Sequence, residues 1–152
     1  RPGMDEEKCM YCNTCLYTCE NKVIKILPNG KELFQKAMAH AAAGVMTGFS
    51  GKKVYFLNCV LDVTPLCDCA APAGRLITQN MGMLASTDPV AVDRASIEMV
   101  DSAPLIPGWD VSPPDILGKI NGTSSMIQLD EAARLGIGSL EYKLKKVDST
   151  QA

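Results

Sequence analysis

The chain has 152 residues, of which 47% are hydrophobic and 21% are charged, enough for a hydrophobic core in one domain with a small appendage. The net charge of −2 provides no basic surface, so nucleic acid and anionic membranes are not expected as partners. The chain also lacks an apolar run near the roughly 20 residues of a transmembrane helix and a signal-peptide pattern at its start.

The first feature along the chain is the cysteine run Cys9-x-x-Cys12-x-x-Cys15-x-x-x-Cys19. Two-residue spacers allow three thiolates to reach three corners of one cube from a single loop, which is typical of ferredoxin-type clusters. These four cysteines are therefore the predicted ligands of a 4Fe–4S cluster. The fourth corner is open to three interpretations, namely Cys19 itself, a distant cysteine such as Cys59, or a residue that this chain lacks.

Zinc is the alternative metal for these cysteines, because four thiolates also suit tetrahedral zinc. Zinc modules usually divide their ligands into two separated pairs, whereas here all four lie in one run, so the spacing favours iron–sulfur. Seven cysteines, with four of them in eleven residues, form a poor disulfide framework. This predicts a reducing compartment, and the lack of a transmembrane run and of a signal-peptide pattern predicts a cytoplasmic protein.

The segment after the cysteine run predicts an α/β layer. The run 53–61 is almost continuously apolar, as expected for a strand covered on both faces, and Cys59 within it is interpreted as a small core residue. In chain order the predicted elements are a strand over 23–27, a turn at 28–30, a helix over 31–47 ended by Gly48, and the buried strand.

Residues 62–80 are predicted to be an irregular loop, and they contain Cys67 and Cys69. Residues two apart on an extended chain point to the same side, so these two thiolates could share a second metal or form a redox pair. Two partly buried loop thiols are an equally good interpretation. A loop of this length is usually functional or disordered.

The second half of the chain predicts two more helices. Asp88 and Pro89 are typical of an N-cap and a first helical residue, and Ser125 with Gln128 matches a capping box. In chain order the predicted elements are a short strand over 81–86, a helix from Asp88 to about Val100, a loop over 102–124, a helix from Ser125 closed by Gly136, and a final strand through Leu140, Tyr142 and Leu144.

Several polar or aromatic residues have simple structural explanations. Asp88 is explained as a cap, and Asp93 as a favourable charge in the first turns of the same helix. The single histidine, His40, is interpreted as a satisfied or exposed helix residue. Trp109 lies in the proline-rich loop, where docking and simple packing are equally compatible with the sequence.

The stretches 54–58, 62–69, 82–93 and 136–142 resemble the C-terminal half of the domain-of-unknown-function family DUF362, and the resemblance covers most of residues 5–145. Members of that family often carry inserted ferredoxin-type cysteine runs, so the resemblance supports the cluster and raises the interest of Cys67 and Cys69. It implies an α/β (or α+β) fold with a ferredoxin-type segment at 1–28 and a domain at 29–152. It also implies a C-terminal portion of a longer chain.

The residues are compatible with three functions. The first is an iron–sulfur protein that transfers electrons to or from a redox partner protein or a small-molecule donor or acceptor, with the missing N-terminal part of a longer chain as a further partner. The second is a non-catalytic module stabilised by zinc. The third is a redox enzyme that uses the Cys67 and Cys69 loop, with the cluster as its electron source.

Overall fold

The computed structural model describes residues 5, 7–9, 14–25, 29–67 and 72–147. Over these residues it is a mixed α/β fold with five helices and a two-stranded antiparallel sheet, which confirms the predicted fold class. No helix in the described ranges is both long and apolar enough to cross a membrane. The elements are α1 (Thr14–Thr18), α2 (Gly30–Thr47), β1 (Phe56–Val60), β2 (Gly82–Ser86), α3 (Pro89–Ser102), α4 (Ile116–Asn121) and α5 (Met126–Arg134).

The sheet and α3 form the first half of the core. β1 pairs with β2 so that Asn58 lies opposite Leu84 and Val60 lies opposite Gly82. α3 packs on one face of both strands. The buried residues of this cluster are Val60, Leu84, Val92, Ala95 and Val100.

The other face of the sheet is open in the described part of the chain. Side chains alternate between faces along a strand, so Phe56, Asn58 and Val60 face α3 while Leu57 and Cys59 face away. Leu57 is 63% exposed, and Met83, which lies opposite Cys59, is 65% exposed. The prediction of a strand covered on both faces is therefore wrong, and Cys59 is an exposed residue rather than a core residue.

The second half of the core lies between α2, α3 and α5. α2 confirms the helix predicted from 31 to 47, with one further residue at its start. Its apolar face is only partly used, because Ala39 is buried while Phe34, Met38 and Val45 are exposed. The buried residues of this cluster are Ala39, Val90, Leu129 and Ala132.

The prediction for residues 102–124 missed one helix, α4, which begins after the N-cap Asp115. The capping box at Ser125 is also wrong, because Ser125 already has a helical conformation and makes no side-chain cap hydrogen bond. The amide of Met126 donates instead to the hydroxyl of Ser124, 3.2 Å away. Gly136, with a φ of 76°, closes α5 as predicted.

Two predicted strands fail. Residues 22–25 are not in a strand, and the remainder of the strand predicted over 23–27 lies outside the described residues. The final strand through Leu140, Tyr142 and Leu144 does not form either, since this segment pairs with no other strand of the described chain. Leu140 and Tyr142 pack instead against the two core clusters as an extended, irregular segment.

Asp88 fixes this C-terminal segment to the start of α3. One carboxylate oxygen accepts a hydrogen bond from the amide of Ala91 at 2.9 Å, and the other accepts from the amide of Ser139 at 2.8 Å. The approach is so close that a Cβ at Gly138 would lie 2.2 Å from the carboxylate and 2.8 Å from Val90. Asp88 is therefore both the predicted N-cap and a tertiary anchor.

Two substitutions of Asp88 separate these roles. Asp88→Ala removes both hydrogen bonds and is expected to lower the free energy of unfolding by about 2 kcal/mol. Asp88→Asn keeps an acceptor for the amide of Ala91 but loses the second oxygen, so the decrease in the free energy of unfolding should be about half as large. Urea unfolding followed by circular dichroism measures both, and equal losses in the two variants would contradict the anchor role.

Glu131 joins α5 to α2. Its carboxylate lies 2.6 Å from the guanidinium of Arg134 and 2.8 Å from the imidazole of His40, which is otherwise exposed as predicted. These two hydrogen bonds, that from Arg134 being the larger influence, hold the pKa of Glu131 at about 2, below its ordinary value of 4.5. The ionised carboxylate is thus favoured in the folded state.

This low pKa predicts a pH-dependent stability difference between the protein and Glu131→Gln. A lowered carboxyl pKa contributes stability that is present above the ordinary value and disappears as the pH falls through the folded value. Glu131→Gln should therefore unfold at lower urea concentration near neutral pH, and the difference should close between about pH 4.5 and pH 2. Asp130→Asn, which removes an exposed carboxylate from the same helix, controls for net charge. A stability difference between the protein and Glu131→Gln that stays constant with pH would contradict the lowered pKa of Glu131.

Candidate functional site

The structure describes three of the four cysteines in the predicted cluster run. Cys9 and Cys19 are half-buried, and Cys15 is exposed on α1. None of these three forms a disulfide. Cys12 lies outside the described residues, so the complete ligand set stays a prediction.

α1 determines the spacing of the last two cysteines. Cys15 lies in this five-residue helix, and Cys19 directly follows its final residue. Residues four apart lie on the same side of a helix, about one turn from each other. The short helix therefore favours two thiols on one side of the segment.

The turn after Cys19 brings backbone amides close to its thiol. The amide of Lys22 donates to the carbonyl of Cys19 at 3.0 Å, and Lys22 has a left-handed φ of 50°, so the chain reverses here. Hydrogen bonds from the amides of Val23 and then Ile24 lower the pKa of the Cys19 thiol, against a smaller opposing effect of desolvation. Successive amides around such a reversal form an anion-binding concavity.

The chemistry of these donors fits an iron–sulfur cluster. Cluster ligands are thiolates, and amide hydrogen bonds to sulfur are among the interactions that tune cluster potential. Among the described residues, no three Cys, His, Asp or Glu side chains form a metal-binding group. The fit therefore rests on Cys19 and on the spacing of the run.

The second predicted site is described only in part. Cys67 is exposed in the loop after β1, and Cys69 lies outside the described residues. Within this loop the amide of Ile77 donates to the carbonyl of Val63 at 2.7 Å, which brings the two ends of the loop together. A shared metal at Cys67 and Cys69 stays a prediction.

Trp109, in the proline-rich loop, packs against residues 75 and 76. Its indole nitrogen donates to the carbonyl of Leu76 at 2.9 Å, and the guanidinium of Arg75 lies 4.9 Å from the ring centroid. Arg75 also donates to the carbonyls of Pro107 and Gly108. These contacts join residues 75–76 to residues 107–109, which favours loop packing over the docking interpretation.

A polar cluster that the sequence did not reveal lies between the sheet and α3. The side-chain amide of Asn58 donates to Asp93 at 2.7 Å and to the hydroxyl of Ser96 at 3.0 Å. Asn58 belongs to the face of β1 that is otherwise apolar, so its amide must find partners there. The only sequence signal is the asparagine that interrupts the apolar run of β1.

Two clefts meet at this cluster. A cleft of about 370 Å³ lies on the side of Asp93 and is bordered by α2, α3, α4 and α5. A second cleft of about 330 Å³ lies on the side of Asn58 and is mainly apolar. Ser96, Ile97 and Leu117 border both clefts, so the cluster stands at their junction.

The model of the family DUF362, a domain of unknown function, matches residues 6–98. The chain belongs to this family. The match confirms the resemblance read from the sequence at the family level. No curated protein and no solved structure matches the chain.

The DUF362 match extends from the cysteine run into α3. It therefore includes the four run cysteines and the polar cluster of Asn58, Asp93 and Ser96. It also includes α2, and it ends before α4 and α5, which form two of the four walls of the larger cleft. The family description names no activity.

The amides around Cys19 predict an unusually acidic thiol in the metal-free protein. Alkylation by iodoacetamide requires the thiolate, so its rate at Cys19 should reach half-maximum at lower pH than in a short cysteine peptide. Peptide mass spectrometry after timed alkylation measures the rate.

Lys22→Gly is the matched control for this measurement. Glycine adopts the left-handed conformation readily, so the turn and its amides are kept while the positive charge is removed. The pH at which the alkylation rate of Cys19 reaches half its maximum should remain low in this variant. A return to the peptide value would assign the effect to the charge of Lys22 and contradict the amide explanation.

Proposed function

We propose that this DUF362 member is an iron–sulfur protein in which Cys9, Cys12, Cys15 and Cys19 hold a 4Fe–4S cluster. The observation that carries the proposal is the spacing of the run, in which four thiols lie within eleven residues. When bound, such a cluster supplies one-electron transfer. The partner is proposed to be a redox protein or a small-molecule electron donor or acceptor.

The environment of Cys19 supports the proposal. The amides of Val23 and Ile24 stabilise a thiolate at this position before any metal arrives. The same amides would donate to a ligand sulfur and reduce the negative charge on it. A structural zinc site also requires thiolates, so this feature supports metal binding in general, and the spacing of the run favours iron–sulfur.

The accessibility of the segment supports an electron-transfer role. Cys15 is exposed, and the neighbouring Tyr17 is 86% exposed on the same short helix. A cluster held here would lie close to the surface, where a partner can approach it. The described residues of the segment carry both signs of charge, so the partner need not be strongly charged.

Anaerobic purification followed by metal and sulfide analysis tests the proposal. About four irons and four acid-labile sulfides per chain are expected, with a visible absorption that bleaches on reduction and an EPR signal in the reduced state. Stoichiometric zinc without sulfide would contradict the proposal and support a zinc-stabilised module. A chain without metal after anaerobic reconstitution would contradict both.

Two serine variants identify the fourth ligand. Cys19→Ser should lower the iron and sulfide content or shift the EPR signal, because an oxygen ligand replaces a thiolate. Cys59→Ser is the matched control, since Cys59 lies on the exposed face of the sheet and should leave the content unchanged. The opposite result would assign the fourth corner to Cys59.

A further inference from the structure

The cleft of about 370 Å³ beside Asp93 has the lining of a small-molecule site. Its volume lies in the lower part of the usual range for ligand pockets, roughly 300 to 1,000 Å³. Its walls combine a few apolar side chains with many uncharged polar ones, and Asp93 is its one ionisable lining residue among those described. The polar lining side chains include Gln35, Asp93, Asn121, Thr123 and Gln128, and Asn58 of β1 is the hydrogen-bond partner of Asp93.

The carboxylate of Asp93 has an amide partner but no ion pair with a described residue. One oxygen accepts from Asn58 at 2.7 Å. Arg94 donates to Glu98 at 2.5 Å and Lys31 donates to the carbonyl of Asn121 at 2.7 Å, so these two cations are engaged with other partners. A half-buried carboxylate that forms no ion pair with a described residue favours a cationic ligand group.

The parts of the lining that come from α2 and from the end of α4 present both donors and acceptors. The side-chain amide of Gln35 donates to the hydroxyl of Thr123 at 3.0 Å, and that of Asn121 donates to the carbonyl of Leu117 at 2.9 Å. Each carboxamide retains an oxygen that can accept, and Thr123 retains a hydroxyl hydrogen that it can donate. Such mixed groups match ligand hydroxyls, which also donate and accept.

The apolar part of the lining fits a compact ring. Ile97, Leu117 and Leu129 contribute it from α3, α4 and α5. Small-molecule sites commonly combine an apolar surface for the ligand body with a few polar groups that set its orientation. A ring carrying hydroxyls at its edge would use both kinds of surface here.

We propose that this cleft binds a small polyhydroxylated amine, such as an amino sugar, with its ammonium group on Asp93 and its hydroxyls on the carboxamide and hydroxyl side chains. The proposal concerns a site other than the cysteine run and does not depend on the cluster. An anionic ligand is disfavoured, because Asp93 carries the one charge among the described lining residues and Lys31 is already bound to a carbonyl.

Protein-observed NMR with three matched sugars tests the proposal on the full chain. Glucosamine, glucose and glucuronate share one ring and differ mainly in charge, being cationic, neutral and anionic. Glucosamine should shift the amide signals of α3, α4 and α5 around the cleft at the lowest concentration, and glucuronate should shift them least. Similar responses to the three sugars, shifts confined to other regions, or no response at millimolar concentrations would overturn the proposal.

Asp93→Asn tests the charge directly. The new amide oxygen still accepts from Asn58, so the fold should be kept, while glucosamine should bind about tenfold more weakly and glucose should be unaffected. Asp130→Asn removes the same charge from the exposed side of α5 and should change neither affinity. Unchanged glucosamine binding by Asp93→Asn would refute the role of the carboxylate.

Gln128→Leu provides a second variant that does not touch Asn58. It removes a polar group from the α5 wall and should weaken glucosamine and glucose to a similar degree. This keeps the proposal testable if Asp93→Asn unfolds, which the NMR spectrum of the free variant reveals. Unchanged binding of both sugars would remove the α5 wall from the site and contradict the proposal.

Discussion

The packing of α3 is the constraint on which the rest of the fold depends. This helix buries residues on two sides, with Val92 and Ala95 against the sheet and Val90 against α5. A two-stranded sheet has little stability alone, so its position is set by the helix that covers it. α4, α5 and the C-terminal segment are then placed against the same helix, the last of them through Asp88.

The polar cluster follows from this packing. β1 presents Asn58 to α3 between two apolar neighbours, and the amide has to be satisfied once water is excluded. Asp93 and Ser96 lie one turn apart on α3 and both accept from it. The contact that satisfies the strand asparagine therefore also fixes the carboxylate at the edge of the cleft.

Local signals in the sequence predicted α2, α3 and α5, whereas the short helices α1 and α4 were missed. Asp88 and Pro89 determine the start of α3 by a hydrogen bond and a fixed φ, and Gly136 ends α5 by its left-handed conformation, so both boundaries can be read from a few residues. The capping box at Ser125 failed because a neighbouring serine took the cap. Both serines are possible caps from the sequence, and the tertiary structure determines that Ser124 accepts from the amide of Met126.

Non-local packing explains the errors. An apolar run shows that a strand can be buried on both faces, but only the position of α3 shows which face is covered, and Cys59 lies on the open one. The C-terminal residues Leu140 and Tyr142 alternate as a strand would, yet they find core clusters and no strand partner in the described chain. Here the alternating pattern reflects which side chains are buried. Strand pairing also requires a neighbouring strand, which the pattern of one segment does not reveal.

The proposed cluster site and the cleft also differ in how local their residues are in the sequence. The ligands of the proposed cluster come from one short run, so spacing alone was enough to propose them, whereas the cleft collects residues from Gln35 to Leu129 and has no local pattern. The DUF362 match divides the cleft, since Asp93 lies inside it and the α4 and α5 walls lie outside. Of the side chains proposed to bind ligand hydroxyls, Gln35 lies inside the match, whereas Asn121, Thr123 and Gln128 lie beyond it. The matched segment therefore supplies the carboxylate and one carboxamide, and the segment that follows it supplies the remaining polar wall.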